Sequence, residues 1–144
     1  MSIQTLTTPE DTFAFGEKFA DQLAAGDIVL LIGGLGAGKT LFTKGVMSGL
    51  GYDVDEVTSP SFSLVNLYKT ERFDVYHIDL WRLDKGGDIA GAVGLDEISG
   101  DGNAVTLIEW ADRLGDLNFT NRTFTISISG DGDDARTVTI EQKS

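Results

Sequence analysis

A chain of 144 residues with 41% hydrophobic side chains fits a single globular domain, 1–144, able to bury roughly two thirds of its unfolded surface. It has no apolar run of about 18 residues or more, so neither a transmembrane helix nor a membrane role is expected, and Met1-Ser2-Ile3-Gln4-Thr5 lacks the basic and apolar regions of a secretion signal. The net charge of −12, from 23 acidic and 11 basic side chains with no basic run, argues against a surface that grips tRNA or DNA directly.

Any nucleic acid in the function would then be held by another protein, and the acidic surface serves solubility. The absence of cysteine excludes disulfides and thiolate metal sites and fits a cytoplasmic location.

In chain order, residues 3–6 predict a short opening strand. Thr8-Pro9-Glu10-Asp11 reads as a helix start, with a hydroxyl N-cap, proline at the first position and acids in the first turn. Phe15, Phe19 and Leu23 repeat every four residues, with Ala20 and Ala24 beside them, which predicts one buried face and a stop at Gly26. Ile28-Val29-Leu30-Leu31-Ile32 is an unbroken apolar run, read as a strand buried on both faces.

Gly33-Gly34-Leu35-Gly36-Ala37-Gly38-Lys39-Thr40 follows and fits the spacing G-x-x-x-x-G-K-[ST] of a phosphate-binding loop. A polyphosphate lies against backbone N–H groups, so glycine serves wherever the main chain comes close or takes positive φ. Lys39 can reach the β- and γ-phosphates, and the Thr40 hydroxyl can ligate Mg²⁺. Leu41 to Leu50, free of proline and closed by Gly51, continues as a helix whose first turn adds N–H donors and the positive end of its dipole. Strand, glycine loop and helix in that order separate a nucleotide cradle from a chance glycine-rich turn. In this helix Leu41, Phe42, Val46 and Leu50 are expected to pack inward and Lys44 to face solvent. Gly45 and Gly49 weaken it by about 1 kcal/mol each relative to alanine, and close approach to the sheet is the expected reason for them.

Ser59-Pro60 marks a loop, Phe62 to Tyr68 a strand, and Phe73 to Leu80 another. Only Lys69 to Arg72 separates the two strands, so an antiparallel hairpin is expected. The hydroxyl-rich loop with Ser61 and Ser63 reads either as a switch-like segment that senses a γ-phosphate or as a plain connection. Residues 84–103, rich in glycine and aspartate, predict mobile surface with a short helix at Gly94-Leu95-Asp96-Glu97-Ile98. Ala104 to Ile108 is a second buried strand that ends in Glu109-Trp110, and Asp112 to Asn118 a connection. Thr123 to Ser129 and Thr137 to Gln142 form a closing hairpin. The expected fold class is α/β: a P-loop NTPase-like mixed sheet with a parallel core, added antiparallel hairpins and flanking helices.

Mg²⁺ is a hard cation that prefers carboxylate or hydroxyl oxygen, and open α/β sheets bind ligands beyond the carboxyl ends of their strands. Glu109 and Asp79 end strands in that way. Glu109 is the expected Walker-B-like acid, acting on Mg²⁺ directly or through water and orienting the attacking water, with Asp79 sharing the metal shell or positioning water. For each, a strand-end acid that caps a turn or pairs with a base is the alternative. His77, the one histidine, alternates with Asp79 onto the same strand face; it reads as a structural hydrogen-bonding histidine in preference to a catalytic base. Core packing is the default for Trp81 and Trp110, with shielding of the site or contact to the base as the alternative. Arg82 and Arg136 either supply positive charge to the phosphates or form surface ion pairs.

Gly36-Ala37-Gly38-Lys39-Thr40, Ser59-Pro60-Ser61-Phe62-Ser63-Leu64-Val65, Tyr76-His77-Ile78-Asp79-Leu80-Trp81-Arg82-Leu83, Gly94-Leu95-Asp96-Glu97 and Leu107-Ile108-Glu109-Trp110 occur in that order. Together they resemble the bacterial tRNA threonylcarbamoyladenosine biosynthesis ATPase family TsaE, also called YjeE, over most of the chain. The loop alone is generic; its combination with the Ser-Pro, His-x-Asp-x-x-Arg and Glu-Trp elements is specific. The resemblance implies a small ATPase needed to modify the adenosine beside the anticodon. It also implies TsaD and TsaB as protein partners, with tRNA reached only through them; TsaD transfers the threonylcarbamoyl group and the ATPase resets the complex between cycles. Carried over residue by residue, the loop at Gly36, Ala37, Gly38, Lys39, Thr40 and Leu41 lies on the phosphates. Thr40 and Glu109 then hold Mg²⁺, with Asp79 near it; Ser63 and its neighbours form the switch-like segment, and Arg136 reaches the nucleotide. Gly34 stands where the family commonly has Asp, Leu41 where it has Thr, and Trp81 where Tyr is frequent.

Two alternative functions remain open on the residues alone. The same cradle serves a small-molecule or nucleotide kinase, although Arg72, Arg82, Arg113, Arg122 and Arg136 are scattered and form no evident lid. A non-enzymatic assembly module that uses nucleotide only to fix its shape is the other.

Overall fold

The computed structural model describes residues 2–34, 37–57, 65–80, 94–114, 119–130 and 132–143. Seven strands, β1 (Ser2–Leu6), β2 (Ile28–Gly33), β3 (Val65–Lys69), β4 (Asp74–Asp79), β5 (Ala104–Glu109), β6 (Thr123–Ser129) and β7 (Arg136–Lys143), join in one sheet in the order β1-β7-β6-β2-β5-β4-β3. The four central strands β6, β2, β5 and β4 pair in parallel. The outer pairs β1–β7, β6–β7 and β3–β4 are antiparallel. Both expected hairpins are therefore present, attached to a parallel core as an α/β P-loop NTPase-like fold requires.

The apolar run of β2 packs in two directions, as its lack of alternation implied. Val29 and Leu31 join Val105, Leu107, Phe124 and Ile126 on the face covered by helices α1 (Pro9–Phe19) and α2 (Lys39–Gly49). Ile28, Ile78 and Ile108 lie on the opposite face against Leu95 of the short helix α3 (Leu95–Ser99) and Ala111 of the 3₁₀ turn Ala111–Leu114. The helix expected near Gly94 is thus α3, while 81–93 lie outside the described residues.

Helix α1 starts as its sequence predicts. The Thr8 hydroxyl accepts from the Asp11 N–H, and Pro9 opens the first turn. It ends earlier than Gly26, giving way after Phe19 to the 3₁₀ turn Ala20–Gln22. Arg72 closes this end from a distance, donating to Ala20 O at 3.0 Å and to Leu23 O at 2.7 Å. Phe19, Ala20 and Leu23 are buried and Phe15 is half-buried, but Ala24, past the turn, is exposed. Gly26 instead takes φ +94° two residues before β2 begins.

Gly45 and Gly49 do serve a close approach, but to α1 and not to the sheet. A Cβ on Gly45 would lie 2.1 Å from the Phe13 carbonyl oxygen, and one on Gly49 2.5 Å from that of Glu17. Gly16 of α1 is the counterpart, 2.4 Å from the Phe42 carbonyl oxygen by the same construction. The two helix backbones meet through glycine on both sides, and Ser48 donates to Glu17 at 2.8 Å across the seam. Burial of Phe42, Val46 and Met47 beneath them draws the pair together and outweighs the poor helix propensity of glycine.

Gly45→Ala is therefore expected to lower stability by about 1–3 kcal/mol through overpacking, despite the helix preference of alanine of about 1 kcal/mol. Gly102→Ala, at a position with open space, should stay within about 0.5 kcal/mol. Urea unfolding checks both; coincident midpoints for the two variants would contradict the helix-contact explanation.

Candidate functional site

The loop that leaves β2 is held by steric rules at two of its glycines. Gly33 still pairs with Ile128 of β6, and a Cβ there would sit 2.6 Å from the Ile128 carbonyl oxygen. Gly38, the N-cap of α2, takes φ +109°. Lys39 follows as the first residue of α2 and is buried. Its Nζ donates to Gly33 O at 2.7 Å and Gly34 O at 2.8 Å and lies 4.0 Å from the centre of the Trp110 ring. Trp110 is the one non-glycine residue with positive φ among the described residues (59°), a conformation that needs support from its surroundings. It also packs against the core cluster of Ile108 and Ala111. Core packing is therefore only half of its role, because its ring also backs the loop lysine. Burial pushes the Lys39 amine below the usual lysine range, and Glu109, Asp79 and Asp112 oppose that shift.

The carboxyl ends of β4 and β5 supply the acids. Asp79 and Glu109 are direct partners across these parallel strands, and Glu109 is in turn opposite Leu31 of β2. Glu109 is 2% exposed, and His77 is fully buried. Glu109 Oε1 accepts from the Thr40 hydroxyl at 3.2 Å, and Oε2 lies 2.5 Å from His77 Nε2. Behind His77, Nδ1 is 3.5 Å from the Tyr68 hydroxyl, to which Asn66 Nδ2 donates at 3.2 Å.

Arg136 reaches the loop from the opposite side. Its Nε donates to Ala37 O at 3.1 Å, while its terminal nitrogens donate to Asp134 O at 2.5 Å and Gly132 O at 3.1 Å. The β6–β7 turn is thereby tied to the loop. A cavity of about 440 Å³ opens beside this tie, with Thr8, Thr12, Ala37, Gly38, Leu41 and Arg136 in its lining. That volume lies within the range of small-ligand sites.

Gly33, Ala37, Gly38, Lys39, Thr40, Leu41, Asp79, Glu109 and Arg136, widely separated in the sequence, thus come together around one loop. Gly36, Ser61, Ser63, Trp81 and Arg82 lie outside the described residues. Sequence reasoning missed the link from His77 to Glu109, the use of Trp110 under Lys39, and the share of Thr8 and Thr12 in the cavity wall. For His77 a signal was present, since its spacing from Asp79 directs it to the face that carries the acids.

The donors fit Mg²⁺. Two adjacent ligands at about 2.0–2.1 Å from an octahedral ion stand about 3 Å apart, and the Thr40 and Glu109 oxygens are separated by 3.2 Å. No group of three or more His, Asp or Glu side chains suited to a metal occurs among the described residues. Such a centre would draw its other ligands from phosphate and water, as Mg²⁺ sites commonly do.

Removing a nearby negative charge disfavours the ammonium form, so Asp112→Asn should move the Lys39 amine further down. Titration of the Lys39 side chain by carbon-detected NMR checks this; an upward shift or none would contradict the electrostatic description of the loop.

Comparison with known proteins agrees with this geometry. Residues 6–138 match the family described as "Threonylcarbamoyl adenosine biosynthesis protein TsaE". The "tRNA threonylcarbamoyladenosine biosynthesis protein TsaE" of Bacillus subtilis is 38% identical over 131 residues, 91% of this chain and 79% of that protein. The protein of the same name from Rickettsia prowazekii is 37% identical over 115 residues, 80% of this chain and 78% of its own. The crystal structure of Bacillus subtilis YdiB superposes with a TM-score of 0.74 at 34% identity, covering 96% of this chain and 83% of that one. With the glycine loop, the paired strand-end acids and the seven-stranded sheet, these matches show that the chain belongs to the TsaE family of tRNA threonylcarbamoyladenosine biosynthesis proteins.

Proposed function

We propose that this protein binds ATP with Mg²⁺ at loop 33–40 and hydrolyses it, and that this hydrolysis serves tRNA threonylcarbamoyladenosine synthesis by acting on the TsaD–TsaB complex. The observation that carries the reading is the convergence of Lys39, Thr40, Glu109 and Asp79 at the carboxyl ends of adjoining parallel strands. In this reading Lys39 exchanges the loop carbonyls for β- and γ-phosphate oxygens, and the first-turn N–H groups of α2 add main-chain donors. The nucleoside lies in the cavity beside Ala37 and Leu41, where Arg136 closes the wall.

Thr40 and Glu109 would hold Mg²⁺, which would neutralise charge on the phosphate oxygens. Asp79, next to Glu109 on the sheet, orients water for attack on the γ-phosphorus. The new P–O bond forms as the bond to the β-phosphate oxygen breaks and the attacking water gives up a proton to solvent, releasing ADP and phosphate. A cytoplasmic location follows from the proposed role. The acidic surface suits a protein that leaves the tRNA to TsaD and TsaB.

Calorimetry and phosphate release, each with and without TsaD–TsaB, test the proposal. Lys39→Ala should abolish tight ATP binding, whereas Glu109→Ala and Asp79→Ala should lower turnover by about 100-fold or more with a smaller change in affinity. Partner-dependent phosphate release is the expected wild-type result. Transfer to an added acceptor, or binding with no turnover in any mixture, would contradict it.

A further inference from the structure

A carboxylate that serves a metal must present one oxygen in a fixed direction, and a glutamate has three side-chain torsions to stop. Glu109 is immobilised at both oxygens, with Oε1 on Thr40 and Oε2 on His77. Residue 77 is opposite Leu107 and residue 79 opposite Glu109, so His77 reaches Glu109 diagonally along the same face of the sheet. Both side chains are at most 3% exposed, so water offers Oε2 no comparable partner.

We propose that His77 is a positioning residue: its Nε2–H anchors Glu109 Oε2 and so turns Oε1 to the Thr40 hydroxyl and the loop. The inference rests on the reading of loop 33–40 and Glu109 as a Mg·ATP site. The donor directions are consistent along the whole chain. A carboxylate only accepts, which puts the imidazole proton on Nε2 and leaves Nδ1 to accept from the Tyr68 hydroxyl; that hydroxyl accepts from Asn66. Tyr68 is itself packed at 5.1 Å against Tyr52 and at 6.0 Å against the His77 ring, so the imidazole is held from behind. A purely structural role explains this arrangement less well, since a buried polar pair has no general stability advantage over an apolar one of the same shape. Ligand carboxylates, in contrast, are commonly oriented by an outer hydrogen-bond partner.

The test compares wild type, His77→Leu and His77→Gln for ATP affinity in EDTA and at saturating Mg²⁺. In His77→Leu the Mg²⁺-supported affinity should fall about 10–100-fold while affinity in EDTA stays within about twofold, and His77→Gln, whose amide N–H can still donate, should recover most of the loss. Unchanged Mg²⁺-supported affinity in a folded His77→Leu overturns the inference alone. Failure of the wild type to bind ATP in either buffer sinks the nucleotide reading beneath it as well. Because the chain has one histidine, the imidazole nitrogens of the unaltered protein can be assigned without ambiguity, whether or not the leucine variant folds. A proton on Nε2, with a resonance that moves in Glu109→Gln, supports the positioning role; a proton on Nδ1 alone refutes it.

Discussion

The parallel register of β4, β5, β2 and β6 is the constraint on which the site depends. Parallel pairing sends the carboxyl ends of these strands to one edge of the sheet, and the pairing of Leu31 with Glu109 and of Glu109 with Asp79 sets their levels. The loop begins two residues beyond Leu31, so the acids and the start of α2 meet without any long connection. A slip of one residue in β5 would turn Glu109 to the opposite face, toward α3 and away from Thr40. The apolar side chains on both faces prevent such a slip, because every side chain of β5 would exchange one face for the other, Val105 and Leu107 leaving one core and Ile108 the opposite one. Hydrophobic burial thus sets the position of a polar site at the sheet edge.

The site also shows how buried charge is accommodated. Lys39, Glu109 and His77 are withdrawn from water, and each meets specific partners: loop carbonyls and an indole face for the lysine, a hydroxyl and an imidazole for the carboxylate. No buried side-chain nitrogen or oxygen among the described residues lacks a hydrogen bond. Burial disfavours the ammonium form of Lys39 while Glu109, Asp79 and Asp112 favour it, so two influences are set in balance against each other there. An anionic ligand would tip that balance toward the ammonium form, since negative charge beside a buried lysine favours its protonation. Arg136 contributes rigidity from the far side, linking the closing hairpin to Ala37 through main-chain carbonyls that any sequence would provide.

Much of this was legible in the residues, and the division follows the range of the interactions. The start of α1, the strand–loop–helix at 28–50 and both hairpins arise from contacts between near neighbours, so capping residues, apolar runs and turn spacings reveal them. Glu109 and Asp79 were legible as strand-end acids because parallel sheets impose that position. The end of α1 was not, because Arg72 caps it from 49 to 52 residues away in the sequence. The purpose of Gly45 and Gly49 was misread for a similar reason. Four-residue spacing shows that two glycines share a face, but only Gly16 and Phe13 of α1 show which surface meets it. The two-residue spacing from Asp79 puts His77 on the face of the acids, but its pairing with Glu109 is a product of the sheet register, and that of Lys39 with Trp110 of the turn after β5, which periodicity does not record.

Membership in the TsaE family places this chain within tRNA threonylcarbamoyladenosine biosynthesis, and the physical claim proposed for it is that loop and strand-end acids hold one divalent ion together with nucleotide. Replacing Mg²⁺ with paramagnetic Mn²⁺ and following backbone amide line widths tests that claim most directly. With a non-hydrolysable ATP analogue present, selective broadening should centre on Thr40, Asp79 and Glu109, and it should weaken there when the analogue is omitted. Broadening centred instead on the surface acids Asp53, Asp55 and Glu56, with Thr40 and Glu109 unaffected, would contradict it.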